Sequence, residues 1–246
     1  MSWVALLLVG LGLADLGHAI RPVRVVPECT AAILTLLLGL LAGMTSGRDV
    51  AALVVIAVLV VAWGQAVRHG FGRDRAWIPL TLLSAALVAA AATTVWADPA
   101  GGPLGHWLAR TPIPLLRGAS PDRALLLLGG LLVQGSTGNV LVRLVLLATG
   151  TINPDTSEER EPGPVLKGGR LLGPMERLVI VGLGLTGSYT AATLVIAAKG
   201  LIRYPELQAA RRAHSGPTIT QVTEYFLVGS FLSWMVALAT LVILAT

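Results

Sequence analysis

Apolar runs of membrane length alternate with short polar connections along this chain. A bilayer core about 30 Å thick calls for about 20 apolar residues in a spanning helix. Six runs meet or approach that length: 2–20, 30–46, 50–67, 76–96, 178–198 and 225–246. The second is short, and the first is interrupted by Asp15 and His18. It has no basic lead and no small-residue cleavage site, so it reads as a retained span rather than a leader.

A seventh run, 124–149, has a different pattern. It opens ALLLLGGLLV and closes VLVRLVLLAT, with Gln134-Gly135-Ser136-Thr137-Gly138-Asn139 between. Glycines and hydrogen-bonding side chains in mid-run predict a broken or re-entrant helix. The fold expected is therefore all-α: a polytopic transmembrane helix bundle of six full spans plus one broken or re-entrant helix. It divides into a four-span N-terminal half (1–96), a Pro- and Gly-rich loop (97–123) and a C-terminal half (124–246). Within the last, 150–174 holds the acidic run DTSEEREPGP and reads as a solvated loop.

Composition narrows the class. Hydrophobic residues make up 54% and charged residues 13%, about half the usual globular share of roughly 25%. That excludes intrinsic disorder. The single cysteine, Cys29, excludes a disulfide framework, a zinc ribbon and a paired-thiol redox site. The net charge of +5 comes from Arg and Lys placed mainly between apolar runs, so it reads as topology and not as a nucleic-acid surface. Arg21, Arg24, Arg68, Arg73 and Arg75 flank two connections, against Arg48 alone in the one between them. The positive-inside bias then puts the N-terminus outside a cell membrane. In the second half two arrangements stay open. If 124–149 crosses, the loop 199–216, with Lys199, Arg203, Arg211 and Arg212, lies outside; if it dips and returns, that loop lies inside.

RLVIVGLGLTGSYTAATLV spaces Gly182, Gly184 and Gly187 as G-x-G-x-x-G, with Glu206 further on. In a dinucleotide-binding fold this spacing joins a strand to a helix. Here the 21 residues around it carry no charge and no βαβ alternation follows. The glycines continue as Ser188, Ala191 and Ala192, so they read as helix-packing positions. Gly39 with Gly43, and Gly229 with Ser233, repeat the small-xxx-small spacing.

Ionisable residues inside a membrane cost at least about 2.5 kcal/mol each on insertion scales, so each calls for a partner or a role. Asp15 and His18, one helical turn apart, are candidates to share a proton or hold an ion, or else to meet water and Arg21 at the helix end. Asn139 and Arg143 follow the break, where the N-terminus of a half-helix suits an anionic head group or solute. Arg143 equally suits an interfacial helix with a snorkelling cation. Glu176 and Arg177, after Pro174, read as the opening turn of the span 178–198. Lys199 closes that span, and Lys199 or Arg203 with Glu224 forms a candidate clamp between the last two spans. His69, His106 and His214 fall in unrelated loops, so no metal site is expected, and no cofactor is implied.

LLGPMERLVI, AAKGLIRYPEL and TEYFLVGSFLSW, preceded by GNVLVRLVL, resemble the C-terminal part of an uncharacterised group of bacterial multi-span membrane proteins catalogued as domain of unknown function 3307. Glu176, Arg177, Lys199, Arg203, Glu224, Tyr225 and Gly229, with Asn139 and Arg143, carry the resemblance, which runs from about Gly138 to the end. In the first helix Ala14-Asp15-Leu16 stands where the group has an Ala-Asp-Phe type motif. The resemblance implies a multi-span architecture and no particular reaction.

Three functions fit these features. The first is a non-enzymatic protein for small-solute or ion transport, or a membrane-embedded partner. The second is a membrane enzyme acting on a phosphate-bearing lipid, with Arg143, Arg177 or Lys199 on phosphate and Asp15 as base. The third is a scaffold or assembly subunit. The partners expected are the lipid bilayer, acidic lipid head groups or an anionic solute, and another protein or a second copy; nucleic acid is not expected.

Overall fold

The structure, a computed structural model, describes residues 1–21, 23–113, 116, 118–151, 169–212 and 219–245. Within these, the side chains of residues 169–171, 200, 202–212 and 219–224 are not described. Every regular element among the described residues is helical: α1 (Ser2–Ile20), α2 (Val26–Leu41), α3 (Gly47–Gly72), α4 (Trp77–Thr93), α5 (Gly102–Arg110), α6 (Pro121–Gly135), α7 (Thr137–Ala148), α8 (Gly169–Leu185), α9 (Tyr189–Arg212) and α10 (Ile219–Ala245). A short 3-10 turn, Thr94–Trp96, prolongs α4.

Four helices among the described residues are long and apolar enough to cross a membrane: Ser2–Ile20, Gly47–Gly72, Trp77–Trp96 and Tyr225–Ala245. The pair α6 and α7, bent by 49°, makes a fifth if it is one span. That is fewer than the six full spans expected, and two expected spans account for the difference. The run 30–46 becomes α2, whose 16 residues rise only about 24 Å. Gly43, at φ 78°, turns the chain just beyond it and lies against Gly102 of α5. So Gly43 does not share a helix face with Gly39, which packs on Leu53 of α3.

The run 178–198 is not one helix. It stops at Leu185 and restarts at Tyr189. Gly187 sits between, at φ 73°. Ser188 N donates to Leu183 O at 2.9 Å and Gly187 N to Gly184 O at 3.0 Å. These two bonds form a Schellman cap, a helix ending that needs a left-handed residue where Gly187 stands. The helix therefore starts well before Pro174, which lies inside α8, and Glu176 is not in its first turn. Nor does Lys199 close a helix, since α9 continues to Arg212.

Cross-helix contacts give the directions. Trp3 meets Asp49 and Trp63 meets Asp15, so α1 and α3 run parallel. Gly17 packs on Pro27 and Gly10 on Thr35, so α2 is antiparallel to α1. Ser2 meets Asp122, Gly129 lies against Leu8 and Gly12 against Leu132, so α6 is parallel to α1. Gln134 pairs with Thr240 and Gly130 touches Leu244, so α10 is antiparallel to α6. Arg177 meets Ser233 and Gly184 meets Leu241, so α8 is parallel to α10. Lys199 meets Glu176, which folds α9 back along α8 as a hairpin with Gly187 at its tip.

Helix α1 sits at the centre. Of its apolar window 67% is buried inside the bundle, against 11% for α4. Its closest neighbour is α6, with which it makes the most extensive helix contact. A Cβ on Gly12 would lie 2.6 Å from Leu132 Cβ, and one on Gly129 3.0 Å from Ala5 O, so the backbones themselves are in contact. The outward faces are apolar: Ile33, Leu34 and Leu37 on α2, Val54, Val55 and Val58 on α3, and Leu227, Phe231 and Val242 on α10 are exposed. An apolar exterior around a core holding Asp15, Glu28, Asp49, Glu176 and Arg177 is a membrane-type distribution.

Candidate functional site

The break between α6 and α7 organises the polar interior. Gly135 ends α6, and Ser136 adopts φ −132°, ψ −70°, outside the helical region. Ser136 Oγ lies 2.8 Å from both Leu132 O, one turn back, and Gly12 O of α1. Its hydroxyl thus competes with the helix ladder and ties the break to the central helix.

A carbonyl freed at such a break needs a donor, because lipid supplies none. Arg177, 1% exposed, provides it from α8. Its Nε and Nη2 donate to Gln134 O at 3.2 and 2.9 Å. Nη2 also donates to Asn139 Oδ1 at 2.8 Å, and Nη1 to Ser233 Oγ on α10 at 3.1 Å. One planar guanidinium thereby joins both halves of the broken helix to α8 and α10. It lies flat on Gly138, where a Cβ would come within 2.8 Å of Nε. Gln134 Nε2 donates to Thr240 Oγ1 at 2.6 Å and so holds α10 from the same level.

Glu176, the residue before Arg177, accepts from Lys199 of α9 on one oxygen and from Trp234 Nε1 of α10, at 2.9 Å, on the other. The Lys199 and Glu176 side chains are 15% and 7% exposed, so this ion pair is largely shielded.

A second cluster lies where α1, α2, α3 and α7 meet. Trp63 Nε1 donates to both Asp15 oxygens at 3.1 Å. Glu28 is fully buried, its Oε1 3.4 Å from Arg68 Nη2. Gly64 makes room for it, since a Cβ there would come 2.1 Å from Glu28 Cγ. Trp63 and Gly64 are adjacent on α3, so they place Asp15 and Glu28 at one level of the bundle. Yet neither Thr137 Oγ1 nor either Glu28 oxygen has a hydrogen-bond partner of ordinary geometry.

The expected site residues thus fall into separate groups. Asn139 and Arg177 meet at the break, while the adjacent Glu176 turns to Lys199 and Trp234. Asp15 lies in the second cluster and bonds to Trp63, while His18, half-buried one turn on, has no hydrogen bond to it. Arg143 bonds to neither group; it is exposed on α7, with its guanidinium 4.9 Å from the ring centroid of Phe71 on α3. That is a cation–π contact between helices. Lys199 pairs with Glu176; the side chains of Arg203 and Glu224, its companions in the expected clamp, lie outside those described. In the glycine triplet, Gly182 faces open space, Gly184 packs on Leu241 and Gly187 forms the turn. Helix both enters and leaves the triplet, unlike a nucleotide-binding strand and turn.

Glu28, Trp63 and Arg68 belong to the polar interior without having been singled out. Glu28 and Arg68 looked like residues of basic connections. Pro27 just before Glu28 was the available sign that a helix had already begun, with Pro at its first turn and an acid beside it.

What the fold and site define is an all-α bundle, four or five of whose described helices are long and apolar enough to span a membrane, with a broken helix cross-braced by a buried arginine. No family model, curated protein or solved structure matches the chain.

Proposed function

We propose that this chain is a non-enzymatic, multi-pass protein of the cell membrane, of the small-solute or ion transport type, with its N-terminus outside. The observation that carries this is the Arg177 brace. A helix discontinuous at mid-depth and held by a hairpin is the element on which ion and solute sites of membrane carriers are built. Any shift of the hairpin α8–α9 would expose Gln134 O and the Asn139 amide together, and would open the break to a ligand.

The helix directions support one topology. A re-entrant segment must reverse, whereas α6 and α7 bend by only 49°. At about 1.5 Å per residue they advance roughly 34 Å along the α6 axis, enough to cross the roughly 30 Å core. The chain then reaches the inside before α8. Because 178–198 is a hairpin and not a span, the loop after α9 returns to the inside with its arginines. The crossing of α6–α7 and an internal basic loop are compatible after all, in keeping with the positive-inside bias. Helix α10 leads outward.

The test is reconstitution of the full chain in liposomes loaded with proton-, sodium-, potassium- and anion-sensitive dyes. Flux above protein-free vesicles that changes in Arg177→Lys supports the proposal. No flux with any of these ions, from correctly inserted protein, removes the ion-transport reading.

A second reading, a membrane-embedded scaffold or partner, is favoured by the apolar groove of about 240 Å³ between α7 and α10, lined by Leu141, Val145, Leu232 and Val236. Such a surface suits an acyl chain or another helix. The enzyme reading gains no comparable support, because Arg177 and Lys199 are both engaged by the protein's own acceptors.

A further inference from the structure

We propose that Arg143, held over Phe71, is a binding site for the phosphodiester of an acidic phospholipid in the cytoplasmic leaflet. It rests on the membrane-spanning reading and its topology but not on transport.

Depth is the first argument. Helix α3 has 26 residues and rises about 39 Å, more than the roughly 30 Å of the hydrocarbon core. Its last turn therefore stands in a head-group layer, and with the N-terminus outside that layer is the cytoplasmic one. Phe71 is the penultimate residue of α3. Arg143 lies over its ring, so α7 carries this cation to the head-group level, well beyond the break at Ser136.

The second argument is an unused set of donors. Among the described residues Arg143 meets no carboxylate and makes no hydrogen bond; the Phe71 ring, 4.9 Å away, is its contact. The buried acids of the inner half are engaged elsewhere, Glu28 with Arg68 and Asp15 with Trp63. A ring against one face of a guanidinium leaves its N–H groups free, because they lie in the plane. Arg143 is exposed, so that edge is open to lipid. Two parallel N–H groups match two oxygens of a phosphate.

The surroundings select an acidic head group. Arg75 N donates to Gly70 O at 2.9 Å, which folds the α3–α4 turn back beside Phe71. The turn exposes Arg73 and Arg75 against the one carboxylate of Asp74. Arg73 is engaged with His69, which leaves Arg75 as a second open cation. Trp77, 61% exposed, opens α4 just after it, an indole of the kind that sits among head groups. Helix α4 also touches α7. A zwitterionic lipid would bring its own cation to this basic rim, whereas an acidic one brings net negative charge.

The experiment is native mass spectrometry of the full chain released from nanodiscs of equal parts phosphatidylcholine and phosphatidylglycerol. The wild type should retain phosphatidylglycerol in preference. Arg143→Gln should lower that retention about tenfold or more, as loss of a charge-assisted pair does. Arg24→Gln removes another exposed cation on the same side, in the α1–α2 turn, and should lower it about fivefold at most. A wild type with no preference overturns the proposal and needs no variant to fold. Equal losses in the two variants overturn it too, because the attraction would then be one of net charge. So does displacement of the lipid by inorganic phosphate, which would make this a site for the free anion. Retention requires no flux, so a chain that moves no ion still decides the question. A chain that does not enter nanodiscs overturns the membrane-spanning reading and this proposal together.

Discussion

Glu176 and Lys199 face each other across a helical hairpin, with Gly187 almost midway between them along the chain. A pair so placed requires that the two arms run antiparallel, and the topology of the C-terminal half follows from it. On the proposed membrane-spanning topology, the loops before α8 and after α9 lie on one side of the membrane. In a cysteine-free Cys29→Ser background, Ser157→Cys and Ser215→Cys should both react with an impermeant thiol reagent from the cytoplasmic side. Labelling from opposite sides would restore 178–198 as a single span.

The same pair should behave as a coupled unit. Glu176→Gln leaves a shielded Lys199 ammonium without its carboxylate, and Lys199→Gln does the converse. Each should lower stability on the order of 3 kcal/mol. The double variant should lose clearly less than the two single losses combined, as contacting residues do. Thermal unfolding in detergent of all four proteins measures this, and strict additivity would contradict the pairing.

At the break, geometry matters more than charge. Arg177→Lys keeps a cation but loses the fork that reaches Gln134 O, Asn139 and Ser233 together. Each orphaned acceptor costs about 1–3 kcal/mol, so lysine should recover little of what Arg177→Met loses. Gly138→Ala drives a methyl into the guanidinium and should cost about 1–3 kcal/mol by overpacking alone. Denaturation midpoints would check the order, and a lysine variant as stable as the wild type would refute the fork.

The glycine triplet offers an internal comparison. Gly182→Ala adds a methyl in open space within a helix and should be neutral or stabilising by up to about 1 kcal/mol. Gly184→Ala would place Cβ 2.6 Å from Leu241 Cδ1 and should destabilise. Gly187→Ala must hold a left-handed turn and should destabilise as well. The same stability assay decides. Equal effects at all three positions would be the signature of one shared role, such as a phosphate cradle.

Much of this architecture is legible in the amino-acid pattern. Apolar runs separated by basic turns mark α1, α3, α4 and α10 because lipid permits little else. Gln134 to Asn139 announces the broken helix because its glycines and hydroxyls offer the backbone alternatives to the ladder. Length and apolarity cannot tell a span from a hairpin, however. An uncharged run of 21 residues folds back at Gly187 because that residue adopts a left-handed turn and the Lys199–Glu176 pair closes it. The partners of the buried charges were also beyond sequence. Arg177 turns to a carbonyl 43 positions earlier, and Trp63 to an aspartate 48 positions earlier. Sequence determines that such groups need partners, since an unpaired polar atom is costly in an apolar medium. Only packing decides which partner is near, because it depends on where Gly12, Gly64 and Gly138 let neighbouring elements approach.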